Sequence, residues 1–85
     1  MSFRISNHAT AQMIRRQISK KQVTKTLESP EQRVPGSDGT VVYQRRFFIE
    51  GKVFLVRVAV NEMKTPKVAT TVYRTSKLAK YWSVK

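Results

Sequence analysis

The chain has 85 residues, with 17 Lys and Arg against 5 Asp and Glu, one histidine, no cysteine and a net charge of +12. That length makes a single domain, residues 1–85, around one thin core. The composition excludes a disulfide scaffold and a cysteine-type zinc site, leaves too few ligands for a protein-only metal site, and shows no cofactor motif.

No apolar run approaches the roughly 20 residues of a membrane span. The opening M-S-F-R-I-S-N lacks a signal-peptide core. The expectation is a cytoplasmic protein with no membrane partner. The positive charge runs through the whole chain, so its self-repulsion calls for a polyanion or an acidic protein as partner.

In chain order, Ser6 reads as the N-cap of a helix from Asn7 to about Arg16. Ala9, Met13 and Ile14 share one side, and His8, Gln12 and Arg16 form a ridge at i, i+4, i+8 beside it. Arg15 stands about 20° short of two full turns from His8. Ser19-Lys20-Lys21-Gln22 is a capping box with Ile18 and Val23 as its staple, and Pro30 ends this second helix after Glu28-Ser29. The two helices are expected to form an αα-hairpin.

After Pro30 the pattern becomes that of strands. Gln32 to Val34 is a short edge strand, closed by the turn-rich Pro35-Gly36-Ser37-Asp38-Gly39. Val41–Glu50 and Val53–Val60 form a hairpin about a Gly51-Lys52 turn, and Lys67–Arg74 is a third long strand after the polar loop Asn61–Pro66. The tail from Thr75 holds S-K-L-A-K-Y-W, a helical turn or an extended arm, in which Trp82 packs on the body. The fold class is α+β, with the helices on one face of a 3–4-stranded antiparallel sheet.

Strand parity sorts the side chains. Phe54, Val56, Val58 and Val60 alternate on the core face, which turns Arg57 to the other. Taking Val68 and Val72 as core residues puts Ala69, Thr71 and Tyr73 on the face of Arg57, which reads as a binding surface. Arg45 and Arg46 straddle both faces, so at most one joins Arg57. A helix N-terminus attracts phosphate, and His8 lies at one with arginines close behind it.

H-A-x-x-x-M-x-x-R-x-I-S-x-x-x-V (His8 to Val23), S-P-E (Ser29 to Glu31), F-L-V-R-V (Phe54 to Val58) and T-V-Y-R-T-S-K-x-x-K-Y-W (Thr71 to Trp82) resemble a family of small uncharacterised bacterial proteins. That family is grouped with the toxin-like ribonucleases that include barnase, EndoU, the colicin nucleases and RelE. The resemblance covers nearly the whole chain. It implies a metal-independent ribonuclease fold, two N-terminal helices on a four-stranded antiparallel sheet, with His8, Arg16, Arg57, Thr71 and Tyr73 at the catalytic positions. Gln12 replaces the family's first motif arginine, and Gln17 its glycine.

In such a reaction the ribose 2′-OH attacks phosphorus, with His8 as base. Arg16 and Arg57 hold the phosphate, Thr71 and Tyr73 hydrogen-bond the substrate, and Tyr73 or a lysine is the acid. Arg15, Arg46, Arg74, Lys77, Lys80 and Tyr81 are further RNA or phosphate contacts. The expected partners are RNA, with transfer RNA or ribosome-bound messenger as candidates, and an acidic antitoxin protein. The alternative is a non-catalytic module of the same fold that binds RNA or a partner protein.

Overall fold

The structure, a computed structural model, describes residues 3–84. Its elements are β1 (Phe3–Ile5), α1 (Asn7–Arg15), α2 (Lys20–Glu28), β2 (Gln32–Pro35), β3 (Val41–Ile49), β4 (Lys52–Asn61), β5 (Lys67–Thr75) and α3 (Leu78–Tyr81). The strands form one five-stranded sheet in the order β1-β5-β4-β3-β2. Two features correct the expected 3–4-stranded antiparallel sheet: β1 is an additional strand, and it runs parallel to β5. Phe3-Arg4-Ile5 is too short to show a period, which is why the sequence hides it.

Caps fix the helices where the sequence places them. The Ser6 Oγ accepts the Ala9 N–H at 3.1 Å, and Ser19 and Gln22 complete the capping box. Between the helices the Ile18 N–H reaches the Met13 carbonyl and the Gln17 N–H that of Ile14, a Schellman closure with Gln17 at φ 56°. The helices dock mainly on the sheet, α1 against β5 and α2 against β3 and β4. Helix-to-sheet packing is thus the main contact of each helix, and the expected αα-hairpin is not confirmed.

One core lies between the helices and one sheet face, where Val56, Val58 and Val60 meet Ala9, Val23 and Leu27. Each such valine contributes on the order of 1.5–3 kcal/mol on burial. Phe54, expected in the same row, is only half-buried at its end. The β3–β4 turn is Glu50-Gly51, with φ 48° and 78°, a type I′ turn one residue earlier than the expected Gly51-Lys52.

The parity of β5 needs a further correction. Val60 pairs with Ala69 but Ala59 with Thr71, so Thr70 is an inserted bulge residue. The bulge turns Ala69 into the helix-side core and reverses the assignments of Val68 and Ala69, while Thr71 and Tyr73 keep the face of Arg57.

Candidate nucleic-acid interface

On the face away from α1 and α2, one rung crosses four strands. Gln32 of β2 pairs with Gln44 of β3, Gln44 with Arg57 of β4, and Arg57 with Tyr73 of β5. Residues in register on one pleat are close enough for their side chains to meet, and these four bond in series. The Gln44 Nε2 donates to Gln32 Oε1 at 2.6 Å, Arg57 Nε donates to Gln44 Oε1 at 2.8 Å, and an Arg57 Nη1 donates to the Tyr73 hydroxyl. Gln44 is fully buried and fully satisfied.

The tail lies over this rung. Gln32 bonds the backbone of Ser83 twice, accepting its N–H and donating to its carbonyl, and Gln44 Nε2 also donates to the Tyr81 carbonyl. Of the two readings of the tail, helical turn or extended arm, the first is α3, and Trp82 packs beneath the Arg46 guanidinium at 4.3 Å. Tyr81 places its ring 4.4 Å from the Arg57 guanidinium, and the Tyr73 ring lies at 5.4 Å. Rings over a guanidinium stabilise it by about 0.5–2 kcal/mol each.

Arg57 is therefore oriented, half-buried and held by neutral partners. It forms none of the ion pairs among the described residues, which are Arg33–Glu62, Arg46–Glu31 and Lys67–Glu62. Of the five guanidinium N–H groups, two are used by Gln44 and Tyr73. The rest form a fork that suits a phosphate.

The other expected site residues are spread more widely. Thr71 is half-buried on the same face, two residues before Tyr73. Arg46 shares that face but is committed to Glu31 through two side-chain bonds, while Arg45 turns to the helix side and bonds the Ser29 carbonyl. Arg74 stands on the helix-side face, over the Phe54 ring, and is thus separated from Arg57. Lys77, the N-cap of α3, and Lys80 within it are exposed, the Lys80 ammonium 5.2 Å from the Tyr81 ring.

Arg16 and Gln12 lie along the edge of β5. Gln12, 5% exposed, accepts the Val72 N–H at 2.8 Å, and Arg16 donates to the Val72 carbonyl at 2.9 Å. Ser6 N–H meets the Ala69 carbonyl further along, and His8 stands between Ser6 and Gln12 on α1, not on the sheet face that carries Arg57. Its imidazole is exposed and makes no hydrogen bond among the described residues. Arg15 is exposed as well.

Two of the five acids, Glu31 and Glu62, are paired with neighbouring cations. The hydrogen bond from Arg46 holds the Glu31 carboxyl below the usual carboxylate range. Bonds from the Tyr43 hydroxyl and then Arg33 do the same for Glu62. Burial and the Glu62 partner push the Tyr43 hydroxyl up. No cluster of three or more metal-ligating side chains occurs among the described residues.

Sequence reasoning missed Gln44 and Gln32, the residues that orient Arg57. Their signal is a polar side chain on the parity of Val42 and Val34, on a face that the tail then covers. Among the described residues no helix is long and apolar enough to cross a membrane.

Neither the curated proteins nor the solved structures give a match to this chain. A family model described as a domain of unknown function, DUF4258, matches residues 5–74, from the end of β1 through almost all of β5, and the chain belongs to that family.

Proposed function

We propose that this protein is a metal-independent endoribonuclease that cleaves RNA by attack of the ribose 2′-OH on the adjacent phosphorus. The observation that carries the reading is Arg57, an oriented guanidinium with neutral partners and three N–H groups without a hydrogen bond among the described residues, in a chain of net charge +12. The resemblance of the His8–Val23, Phe54–Val58 and Thr71–Trp82 segments to toxin-like ribonucleases supports it.

In the proposed reaction His8 takes the 2′-OH proton, the 2′-oxygen bonds phosphorus, and the bond to the 5′-oxygen breaks. Arg57 stabilises the charge that builds on the phosphoryl oxygens, and Arg16 adds the donors not given to Val72. Tyr73 accepts from Arg57 through its oxygen, so its own O–H proton is free to pass to the departing 5′-oxygen. The products are a 2′,3′-cyclic phosphate and a 5′-hydroxyl. An acidic protein covering the same face is the fitting inhibitor.

The test is incubation of the wild type, His8→Ala and Arg57→Ala with total RNA and transfer RNA in EDTA, followed by mapping of the ends. The expected result is cyclic-phosphate ends from the wild type, with losses of about 10²–10⁴-fold for His8→Ala and about 10²–10³-fold for Arg57→Ala. Intact RNA that is nonetheless bound would overturn catalysis. It would favour the second reading, a non-catalytic RNA-binding module. One observation speaks for that module: Gln12 and Arg16 are engaged at the β5 edge, and the His8 imidazole has no orienting bond among the described residues.

A further inference from the structure

Along β3 the residues on the Arg57 face are Val42, Gln44, Arg46 and Phe48. Same-face residues of a strand are about 6.8 Å apart, so Phe48 stands two such steps, about 14 Å, from the Arg57 rung. Its side chain is 75% exposed, in contrast to the apolar residues of the core. It pairs across the hairpin with Val53, itself exposed, and a shallow groove of about 350 Å³ opens between Arg46, Phe47, Phe48, Val53 and Leu78 of α3.

An exposed aromatic ring beside aliphatic walls matches the faces of one nucleobase, with the Arg46 guanidinium, paired with Glu31, at its edge. The groove is at the small end of ligand clefts, which run from about 300 to 1,000 Å³. A protein helix would need a longer track of anchors at i, i+4 and i+7. The charge disfavours a basic occupant and attracts a polyanion: Lys77 precedes Leu78 and is exposed, and the whole molecule carries +12.

We infer that this groove is a nucleobase-stacking subsite, with Phe48 as its platform, and that RNA reaches Arg57 as a single strand. The inference rests on the proposed RNA reading of the Arg57 face and adds to it the class of substrate. A paired base in an A-form helix keeps its faces stacked on its neighbours, so only an unpaired one can offer a face to Phe48. Two same-face steps of β3 correspond to about two nucleotides of extended strand between the clamped phosphate and the stacked base. The polar rung thus fixes the backbone, and Phe48 reads whether the strand is open.

The test uses a 2′-O-methyl RNA decamer, which lacks the attacking hydroxyl and is not cut, carrying one 2-aminopurine. It is offered as a single strand and as a duplex to the wild type, Phe48→Ala, Phe48→Leu, Phe48→Trp and Arg57→Ala, and anisotropy and 2-aminopurine emission are read. The expected result is tighter binding of the single strand, with quenched emission. Phe48→Ala and Phe48→Leu should weaken it roughly 5- to 150-fold and abolish the quenching, while Phe48→Trp preserves both. Phe48 is exposed, so these variants keep the core. Unchanged affinity and quenching in Phe48→Ala, with binding still lost in Arg57→Ala, would overturn the subsite and leave the RNA reading standing. Equal or tighter binding of the duplex by the wild type would overturn the single-strand assignment. Failure of the wild type to bind either form would overturn the subsite and the RNA reading together.

Discussion

Gln17 shows what one backbone conformation costs. It closes α1 at φ 56°, where a side chain with a Cβ is disfavoured by about 1–2 kcal/mol. Glycine adopts that region freely, and glycine is what the resembling family carries there. Gln17→Gly is expected to stabilise the fold by about 1 kcal/mol after its larger entropy in the unfolded chain is set against the relief. For a domain of this size that is a rise in Tm of about 4–8 °C per kcal/mol, measurable by thermal unfolding. A lower Tm would show that the Gln17 side chain contributes contacts that outweigh the strain.

At the scale of elements, α1 does two jobs: it roofs the core and closes the edge of β5 beyond the end of β1. The Val72 N–H ends on Gln12 and the Val72 carbonyl on Arg16, a side-chain substitute for a neighbouring strand. This gives Gln12 a reason that charge on the ridge did not suggest. An arginine there offers donors only and cannot accept the Val72 N–H. Gln12→Arg is therefore expected to destabilise the fold by about 1–3 kcal/mol, the cost of an unsatisfied buried amide; unchanged denaturant stability would refute the edge-closing role.

The elements also show what was legible in the chain. The Val56-Val58-Val60 alternation located the core face and put Arg57 opposite it, and the Ser19–Gln22 pattern marked the start of α2. The bulge at Thr70 was hidden because V-A-T-T-V reads as a strand in either parity, and only pairing with β4 decides it. The placement of Arg57 with Tyr73 followed from parity, and the structure brings them together. Gln44 escaped because a glutamine reads as solvated until a tail is laid over it. His8 and Arg16 were joined by helical spacing alone, whereas contact with β5 separates their surroundings.

Across the whole molecule, excess positive charge sets the response to pH. Glu31 and Glu62 are carboxylates that the fold holds below their ordinary range, Glu62 through Tyr43 and Arg33 and with the Lys67 ammonium at 3.7 Å. A carboxyl depressed in the folded state stabilises fully above its unfolded value, near 4.5, and that contribution is lost as pH falls through the folded value. Protonation at low pH also raises an already large positive charge. Tm is thus expected to fall as pH drops from about 5 toward 3, and Glu62→Gln should flatten part of that fall. An identical acid profile in the variant would show that the Glu62 cluster does not tie the β2–β3 edge to the loop after β4.

The parallel pairing of β1 with β5 has a kinetic consequence. The β3–β4 hairpin joins neighbours across a two-residue turn, but Ser6 meets Ala69, Gln12 meets Val72 and Gln32 meets Ser83, at separations of 60 and 51 residues for the last two. Contacts so distant along the chain await the loop closures between them, so folding slows as their share grows. On a ribosome the hairpin would form while α1 still lacks the strand it roofs. The surface around Arg57 would come last, when the residues that bind Gln32 and Gln44 have emerged, so the face that holds the charge is the final part of the molecule to exist.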